Sequence, residues 1–428
     1  MSQRIFALAF AFLSACAAFP SDGLPANSSN NAITLTLWHT QSGAAARLLD
    51  TFITDFRRAN PSIRVVLEPK PNEGDLMRQG LAAIALNQLP DLIIASNRTL
   101  AEFARRDALV NLEPLMYEPK LGLPQNERED FVPGIFDAGR FADAKNQLSA
   151  LPFDTQTIVL YYNADILQAV KIIAPPRTWE QFESAVRAAT KDNVRGWAMT
   201  PNAAALCAIV LSRGGATLNE AQTQAQLNDA AWLKSMQLSA TLTRSGAAYL
   251  VDAEIARNDF AQGKTAFWIG ATDDLQSISD AAERTNRGTA WRVTNLPQID
   301  SARPMSAMLG EQIAVFKSTD ERARAAWVLM RWLVAAEQNV RWARVTFALP
   351  ARVSVPALLA DNPSPQLARM REGMNPLPIL RTLPNVKDAL SVDAAMVDVW
   401  TSVIDGADPA TVLKNANARI NRILGQIQ

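Results

Sequence analysis

Residues 33–67, ITLTLWHTQSGAAARLLDTFITDFRRANPSIRVVL, decide the fold. Ile33, Leu35 and Leu37 alternate with threonines, the two-residue period of a strand that turns one face inward. Leu48, Leu49, Phe52, Ile53 and Phe56 then recur at the spacing of an amphipathic helix. Asn60-Pro61 ends that helix, because proline has no N–H to continue its hydrogen bonds. Ile63-Arg64-Val65-Val66-Leu67 reads as a second strand. Outward from this unit, 75–87 predicts a second helix, 91–95 a third strand and 100–106 a further helix. Strand and helix alternate, which requires crossover connections and a largely parallel sheet covered by helices. A second set of elements begins with a strand at 158–162, followed by helices at 179–190, 203–213 and 321–344. Two helical patterns close the chain over 392–427, parted by Gly406 and Asp408-Pro409. The fold class is α/β.

Lysine plus arginine and aspartate plus glutamate each number 42. No net charge draws the chain to nucleic acid, and its ligand can be neutral. Arg4, the apolar run 5–13 and Leu13-Ser14-Ala15-Cys16 have the layout of a bacterial lipoprotein signal, cleaved before Cys16 so that its thiol carries lipid. An ordinary signal peptide with a cysteine at this position is the alternative. Residues 17–31, rich in Ala, Ser, Asn and Pro, read as a tether. Cys207 then has no partner for a disulfide, and its apolar surroundings predict a small buried side chain.

In a parallel sheet, ligands collect at the carboxyl ends of strands, where loops and helix amino termini offer unpaired N–H groups. The loops of interest are Trp38-His39-Thr40-Gln41-Ser42-Gly43 and Ser96-Asn97-Arg98-Thr99. His39 is the only histidine, so a metal or catalytic role lacks companions. No dinucleotide glycine fingerprint, serine-nucleophile elbow, zinc helix or phosphate-binding Gly-x-x-x-x-Gly-Lys-Ser/Thr loop occurs. No cofactor, metal or catalytic residue is therefore expected. A glycoside hydrolase is the competing class, since a pair of carboxylates is defined only by the fold.

Trp38-His39, Pro90-Asp91, Leu151-Pro152-Phe153 ahead of Leu160-Tyr161-Tyr162-Asn163, Pro176-Arg177-Thr178-Trp179-Glu180, Phe260-Ala261-Gln262-Gly263-Lys264-Thr265-Ala266-Phe267 and Leu349-Pro350-Ala351-Arg352 follow one another in order. In this order and spacing the chain resembles the extracellular solute-binding proteins of ABC importers, which include maltose- and glycerol-3-phosphate-binding proteins. The resemblance implies a two-lobed, periplasmic-binding-protein-like fold with a hinge and a central cleft. The crossings are expected at 153–157, 269–272 and 333–337. One lobe would then comprise 32–154 plus 272–334, and the other 155–271 plus 335–428. It further implies an extracytoplasmic monomer, lipid-anchored, that delivers its ligand to membrane permease subunits powered by an ATPase on other chains.

A sugar offers an apolar ring face edged by hydroxyls, matched by aromatic platforms and by planar groups that hydrogen-bond in pairs. The candidate contacts are Trp38, His39, Thr40 and Gln41; Ser96, Asn97 and Arg98; Asp154 and Gln156 on the first crossing; Trp268 and Asp273 about the second; Gly310 and Glu311; and Arg381. Each has a structural alternative: core packing for Trp38 and Trp268, a helix cap for Asn97, a solvated turn for Glu311. Arg381 lies near a region from which the glycerol-3-phosphate-binding relative supplies an arginine to phosphate. Two cations, Arg98 and Arg381, stand against Asp154, Asp273 and Glu311, a balance that favours a neutral sugar over a polyol phosphate. Cys16→Ser is expected to release the protein from membranes of a lipid-modifying host without altering its fold. Fractionation checks this, and a wild type recovered wholly in the soluble fraction contradicts the lipoprotein reading.

Overall fold

The structure is a computed structural model that describes residues 32–141, 145–284, 290–360, 364–375 and 377–425. Cys16 and the tether at 17–31 lie outside the described residues. The opening unit folds as its pattern dictates. Strand β1 (Ile33–His39) buries Leu35, Leu37 and His39, and the helix Gly43–Ala59 buries Leu49, Phe52, Ile53 and Phe56. At its end the Asn60 N–H and side-chain amide both donate to Phe56 O, satisfying a carbonyl that the helix leaves unpaired. Strand β2 (Ile63–Pro69) then pairs parallel to β1 from Ile33↔Ile63 to His39↔Pro69. After the helix Glu73–Leu86, strand β3 (Leu92–Ser96) pairs parallel on the other side of β1.

Seven further strands complete the sheet: β4 (Ala150–Asn163), β5 (Arg195–Met199), β6 (Ala248–Leu250), β7 (Thr265–Ala271), β8 (Trp291–Thr294), β9 (Met305–Val315) and β10 (Ile379–Thr382). Their order is β2-β1-β3-β9-β4-β7-β5-β6, with β10 also on β9 and β8 also on β4. β4 belongs to both halves. Its first part pairs antiparallel with β9, from Ala150↔Ala314 to Thr157↔Met308. From Ile158 onward it pairs with β7 and β8.

Each half has its own core, as two lobes require. Around β1–β3, Leu35, Phe52, Ile94 and Trp327 pack with the helices Gly43–Ala59 and Asp320–Leu333. Around β5 and β7, Trp197, Phe267, Leu206 and Trp400 pack with the helices Ala203–Ser212 and Ala389–Ile404. Cys207 lies in this second core, its sulfur 3.3 Å from Thr217 Oγ1, and burial pushes its thiol up to about 12. It is a packing residue. Among the described residues no helix is long and apolar enough to cross a membrane.

One crossing falls elsewhere than the sequence leads us to expect. Residues 269–272 end β7 without leaving the second half-sheet. The chain continues into the helix Asp274–Arg284 and then β8, which pairs with Leu160–Asn163 of β4, so the return passage is β9. Leu333 and Val334 belong to the first core, and Trp342 of the helix Ala336–Thr346 packs on Phe52 and Phe153, while Val340 and Ala343 of the same helix, and Phe347 just after it, join a cluster with Val159, Tyr161 and Trp268 of the second half. Leu349 then gives its N–H to Thr155 O at 2.7 Å.

The crossing strands meet at an irregularity, a register shift between Pro152 and Asp154 that is accommodated opposite by Gly310. Gly310 has φ +98°, and a Cβ there would lie 2.0 Å from Asp154 O. Gly310→Ala is therefore expected to cost about 2 kcal/mol or more through strain and steric conflict. Denaturant unfolding measures it, and an unchanged midpoint would refute the close approach.

Candidate functional site

The carboxyl ends of β1, β2 and β3 and the first part of β4 converge beside β9. In the β4–β9 register Asp154 stands directly opposite Glu311, and Ser96 of β3 faces Glu311 from the other side. Thr40 Oγ1 donates to Glu311 Oε1 at 2.7 Å, and Gln41 Nε2 donates to Oε2. The loop bearing them is held by His39, only 3% exposed, whose Nδ1 accepts the Gln41 N–H at 3.1 Å. Burial lowers the pKa of that imidazole, against a smaller opposing effect of Asp50, which suits the neutral acceptor form. His39 thus positions the loop.

Asp154 Oδ1 accepts from Gln156 Nε2 at 2.8 Å, and Gln156 Oε1 accepts the Thr272 hydroxyl from the end of β7. These carboxyls are poorly compensated. Burial, then Asp273, pushes Asp154 up to about 7, while Gln156 and Trp342 act the other way. Burial, then Asp154 and Glu73, pushes Glu311 up to about 8 against the effect of Thr40. Asp273 reaches solvent, yet the protein crowding it raises its carboxyl too. Asp274 is raised to about 6 by burial and by Asp273 despite an ion pair with Arg257 at 2.7 Å. Neutral or shared-proton carboxyls at pH 7 can both donate to and accept from ligand hydroxyls.

Ser96, rather than Asn97, caps the helix Asn97–Arg105. Its N–H and Oγ also donate to Glu73 Oε1 at 2.9 and 2.6 Å. Asn97 is the first helical residue and gives its Nδ2 to Ala138 O at 3.1 Å. Arg98 reaches the other lobe, holding both carboxylate oxygens of Asp393 at 2.6 and 3.2 Å. Two turns further, Arg105 donates to Asn385 O at 3.0 Å.

Neither tryptophan offers a free platform. Trp38 is half-buried with the Lys70 ammonium 3.8 Å over its ring. Trp268 is 2% exposed, stacked on Tyr161 with centroids 5.1 Å apart, and points its Nε1 at Thr200 Oγ1. Arg381 lies apart from the acidic group, on β10, where with Arg105, Arg140 and Lys387 it lines a cavity of about 640 Å³ between elements of both lobes. Among the described residues, Asp137 is the one acidic residue lining it.

Sequence reasoning missed Glu73, Thr272 and Arg257, and the cations Arg105, Arg140 and Lys387. Glu73 had a signal, since it opens the helix after β2 as Gly43 and Asn97 do after β1 and β3. The others are brought in by tertiary folding alone. Among the described residues no group of three or more His, Cys, Asp or Glu side chains is arranged to hold a metal ion.

The family model of bacterial extracellular solute-binding proteins matches residues 51–369. The sn-glycerol-3-phosphate-binding periplasmic protein UgpB of Salmonella typhimurium is 22% identical over 421 residues, covering 92% of this chain and 93% of that protein. Two solved structures are similar in fold. The sugar-binding protein MalE from Xanthomonas citri has a TM-score of 0.79 at 22% identity, covering 92% of this chain and 98% of its own. UgpB from Mycobacterium tuberculosis in complex with glycerophosphocholine has a TM-score of 0.75 at 20% identity, covering 93% and 99%.

The raised Glu311 carboxyl has a measurable consequence. A carboxyl whose pKa is higher in the folded than in the unfolded chain favours folding less as pH climbs from its ordinary value, near 4.5, toward about 8. Glu311→Gln removes this dependence. The variant should gain on the order of 1–3 kcal/mol relative to wild type between pH 5 and pH 8. Urea unfolding at the two pH values tests it, and a difference independent of pH would contradict the assignment.

Proposed function

Because this chain belongs to the bacterial extracellular solute-binding proteins, we propose that it is the capture subunit of an ABC importer, taking a sugar between two closing lobes and passing it to a membrane permease. In this reading it works outside the cytoplasm as a monomer tethered through lipid on Cys16, and it binds without transforming its ligand. The observation that carries the sugar assignment is the Asp154–Glu311 pair, set across the crossing strands among Thr40, Gln41 and Gln156. Sugar hydroxyls come in adjacent pairs that such carboxyls and amides hold two at a time, each hydrogen bond contributing about 0.5–1.5 kcal/mol. A phosphate placed there would find acids, amides and a hydroxyl, and no cation among these residues.

The cavity beside Arg381 favours a second reading, the capture of glycerol 3-phosphate or a related polyol phosphate. Among the described residues, Arg105, Arg140, Arg381 and Lys387 outnumber Asp137 around it. Arg140 is partly committed to Glu113 at 2.9 Å. Guanidinium groups suit phosphate because their forked donors match its oxygens.

Calorimetric titration of the full chain with maltose and with sn-glycerol 3-phosphate, at low and high ionic strength, separates the two. The sugar reading expects saturable maltose binding that changes little with salt, because neutral hydrogen bonds are not screened. It also expects that binding to survive in Arg381→Ala. Tight glycerol 3-phosphate binding that weakens with salt and falls tenfold or more in Arg381→Ala would replace the sugar with the polyol phosphate.

A further inference from the structure

Tyr162 lies near the end of β4 that points away from the crossing, roughly 26 Å along the strand from Asp154. Beside it is a cavity of about 310 Å³ lined by Arg177, Arg292, Asn295, Arg369 and Glu372. This cavity shares no lining residue with the one beside Arg381. Arg292 stands opposite Tyr162 in the β8–β4 register. Arg369 comes from the helix Pro365–Gly373, its guanidinium carbon 4.1 Å from the centre of the Trp291 ring. Arg177 precedes the helix Trp179–Ala189.

The walls are tied to one another by the chain itself. Gln298 gives Nε2 to Leu296 O and Met305 O at 3.0 and 3.1 Å and accepts the Met305 N–H on Oε1. Its own N–H donates to Arg177 O at 2.8 Å, which joins segment 175–177 to that loop. Gly373 brings its helix so close to β8 that a Cβ would lie 1.7 Å from Val293 O. Yet the three guanidiniums held by these walls are unmatched. Among the described residues none is in an ion pair; Arg292 gives Nη1 to Trp291 O at 3.0 Å, and the side chains of Arg177 and Arg369 donate no hydrogen bond. Other partly buried arginines have carboxylates, Arg98 in Asp393 and Arg257 in Asp274. Here burial, and then the charge of Arg292, lowers the pKa of Arg369 against the opposing effect of Glu372, so the two guanidiniums are near enough to repel.

Among the described residues, three positive charges against one carboxylate leave two without a counter-charge in a preformed cavity. We propose that this cavity is a separate anion site that takes the phosphoryl group of a small phosphate monoester. Such a group carries about −1.5 to −2 charge at pH 7, which matches the surplus where a single carboxylate would not. Guanidinium forks also hold its oxygens two at a time. The volume is at the lower end of the roughly 300–1,000 Å³ of small-molecule sites, so there is room for a short carbon body, flanked by Tyr162, Pro175 and Pro304. A free phosphate ester and the headgroup of a phosphomonoester lipid share this chemistry. The site is independent of which ligand the lobes capture between them.

The test titrates the full chain calorimetrically with sn-glycerol 3-phosphate, with glycerol, and with dihexanoyl phosphatidic acid kept below its micelle concentration. The expected result is saturable binding of phosphate ester and none of glycerol. That binding should weaken tenfold or more in Arg292→Gln and persist in Arg381→Ala, with the melting temperature of ligand-free Arg292→Gln at or above wild type as repulsion is relieved. Arg177→Gln repeats the measurement in case Arg292→Gln disturbs β8, because Arg177 is exposed and its carbonyl, which holds Gln298, is kept. Tighter binding of the lipid than of glycerol 3-phosphate assigns the site to a headgroup, and weaker binding assigns it to a free ester. Affinity for both phosphates unchanged in Arg292→Gln and Arg177→Gln, or lost only in Arg381→Ala, places any phosphate elsewhere and overturns the proposal. Absence of binding by wild type overturns it as well.

Discussion

The fourteen residues of β4 supply a hydrogen-bonding edge to both halves of the sheet, and the partner changes between Thr157 and Ile158. Up to Thr157 the ladder runs to β9, and beyond it to β7 and β8. A β ladder resists sliding, since a one-residue slip would turn every buried side chain to the wrong face. Movement of one half against the other is left to bending near that handover, where the Thr272 N–H donates to Thr157 O and the Thr157 N–H donates to Thr272 Oγ1. Just before it sits the irregularity at Pro152, a residue with no N–H to give the ladder. Gly310 opposite lets the Asp154 carbonyl approach to a distance that no Cβ permits. The same local geometry sets the Asp154 carboxyl beside Glu311, so the joint between the lobes and the polar site are one construction.

That construction places two chemistries on two faces of one strand. Glu311 faces Thr40, Gln41 and Asp154, whereas Gln312 faces the apolar side built from Ala95, Ala150 and Ala314. Like charges opposite each other in a sheet are destabilising. Asp154 and Glu311 persist because burial, with Asp273 acting on Asp154 and Asp154 acting on Glu311, shifts them toward their protonated forms near neutral pH, which exchanges repulsion for hydrogen bonding. Counting charges along the chain had set Arg98 and Arg381 against three acids as if all shared one space. Arg98 is instead paired with Asp393, and Arg381 stands with other cations in a separate cavity.

The alternating architecture was legible because the period of two in Ile33, Leu35 and Leu37 and the helical spacing from Leu48 to Phe56 are local signals that burial confirms. Thr40, Gln41 and Glu311 could be found for a related reason, since the ends of parallel strands are where polar loops gather. Other features had no local signature. β7 is buried on both faces apart from its last residue, so nothing in its sequence distinguishes Trp268 in the core from Trp268 as a platform. The four residues of β8 are too few to show a period, and only their pairing with β4 reveals that the chain has not yet crossed back. The partner of Arg98 is 295 residues away.

Arg98 also bears on how the lobes are held when they meet. Its ion pair with Asp393 is about one-fifth exposed on each side. Pairs of this partly solvated kind contribute about 1 kcal/mol or less, because water screens the charges and two flexible side chains must be fixed. The Arg105 bond to Asn385 O adds roughly another 1 kcal/mol. Together these are small beside the ~8 kcal/mol that a micromolar ligand provides. Such contacts can fix the approach of the two lobes without locking them, and the equilibrium between parted and joined forms is left for the ligand to decide. A side chain committed in this way to the opposite lobe has its charge already met by Asp393, which is why Arg98 could not be weighed as a ligand cation from its loop position alone.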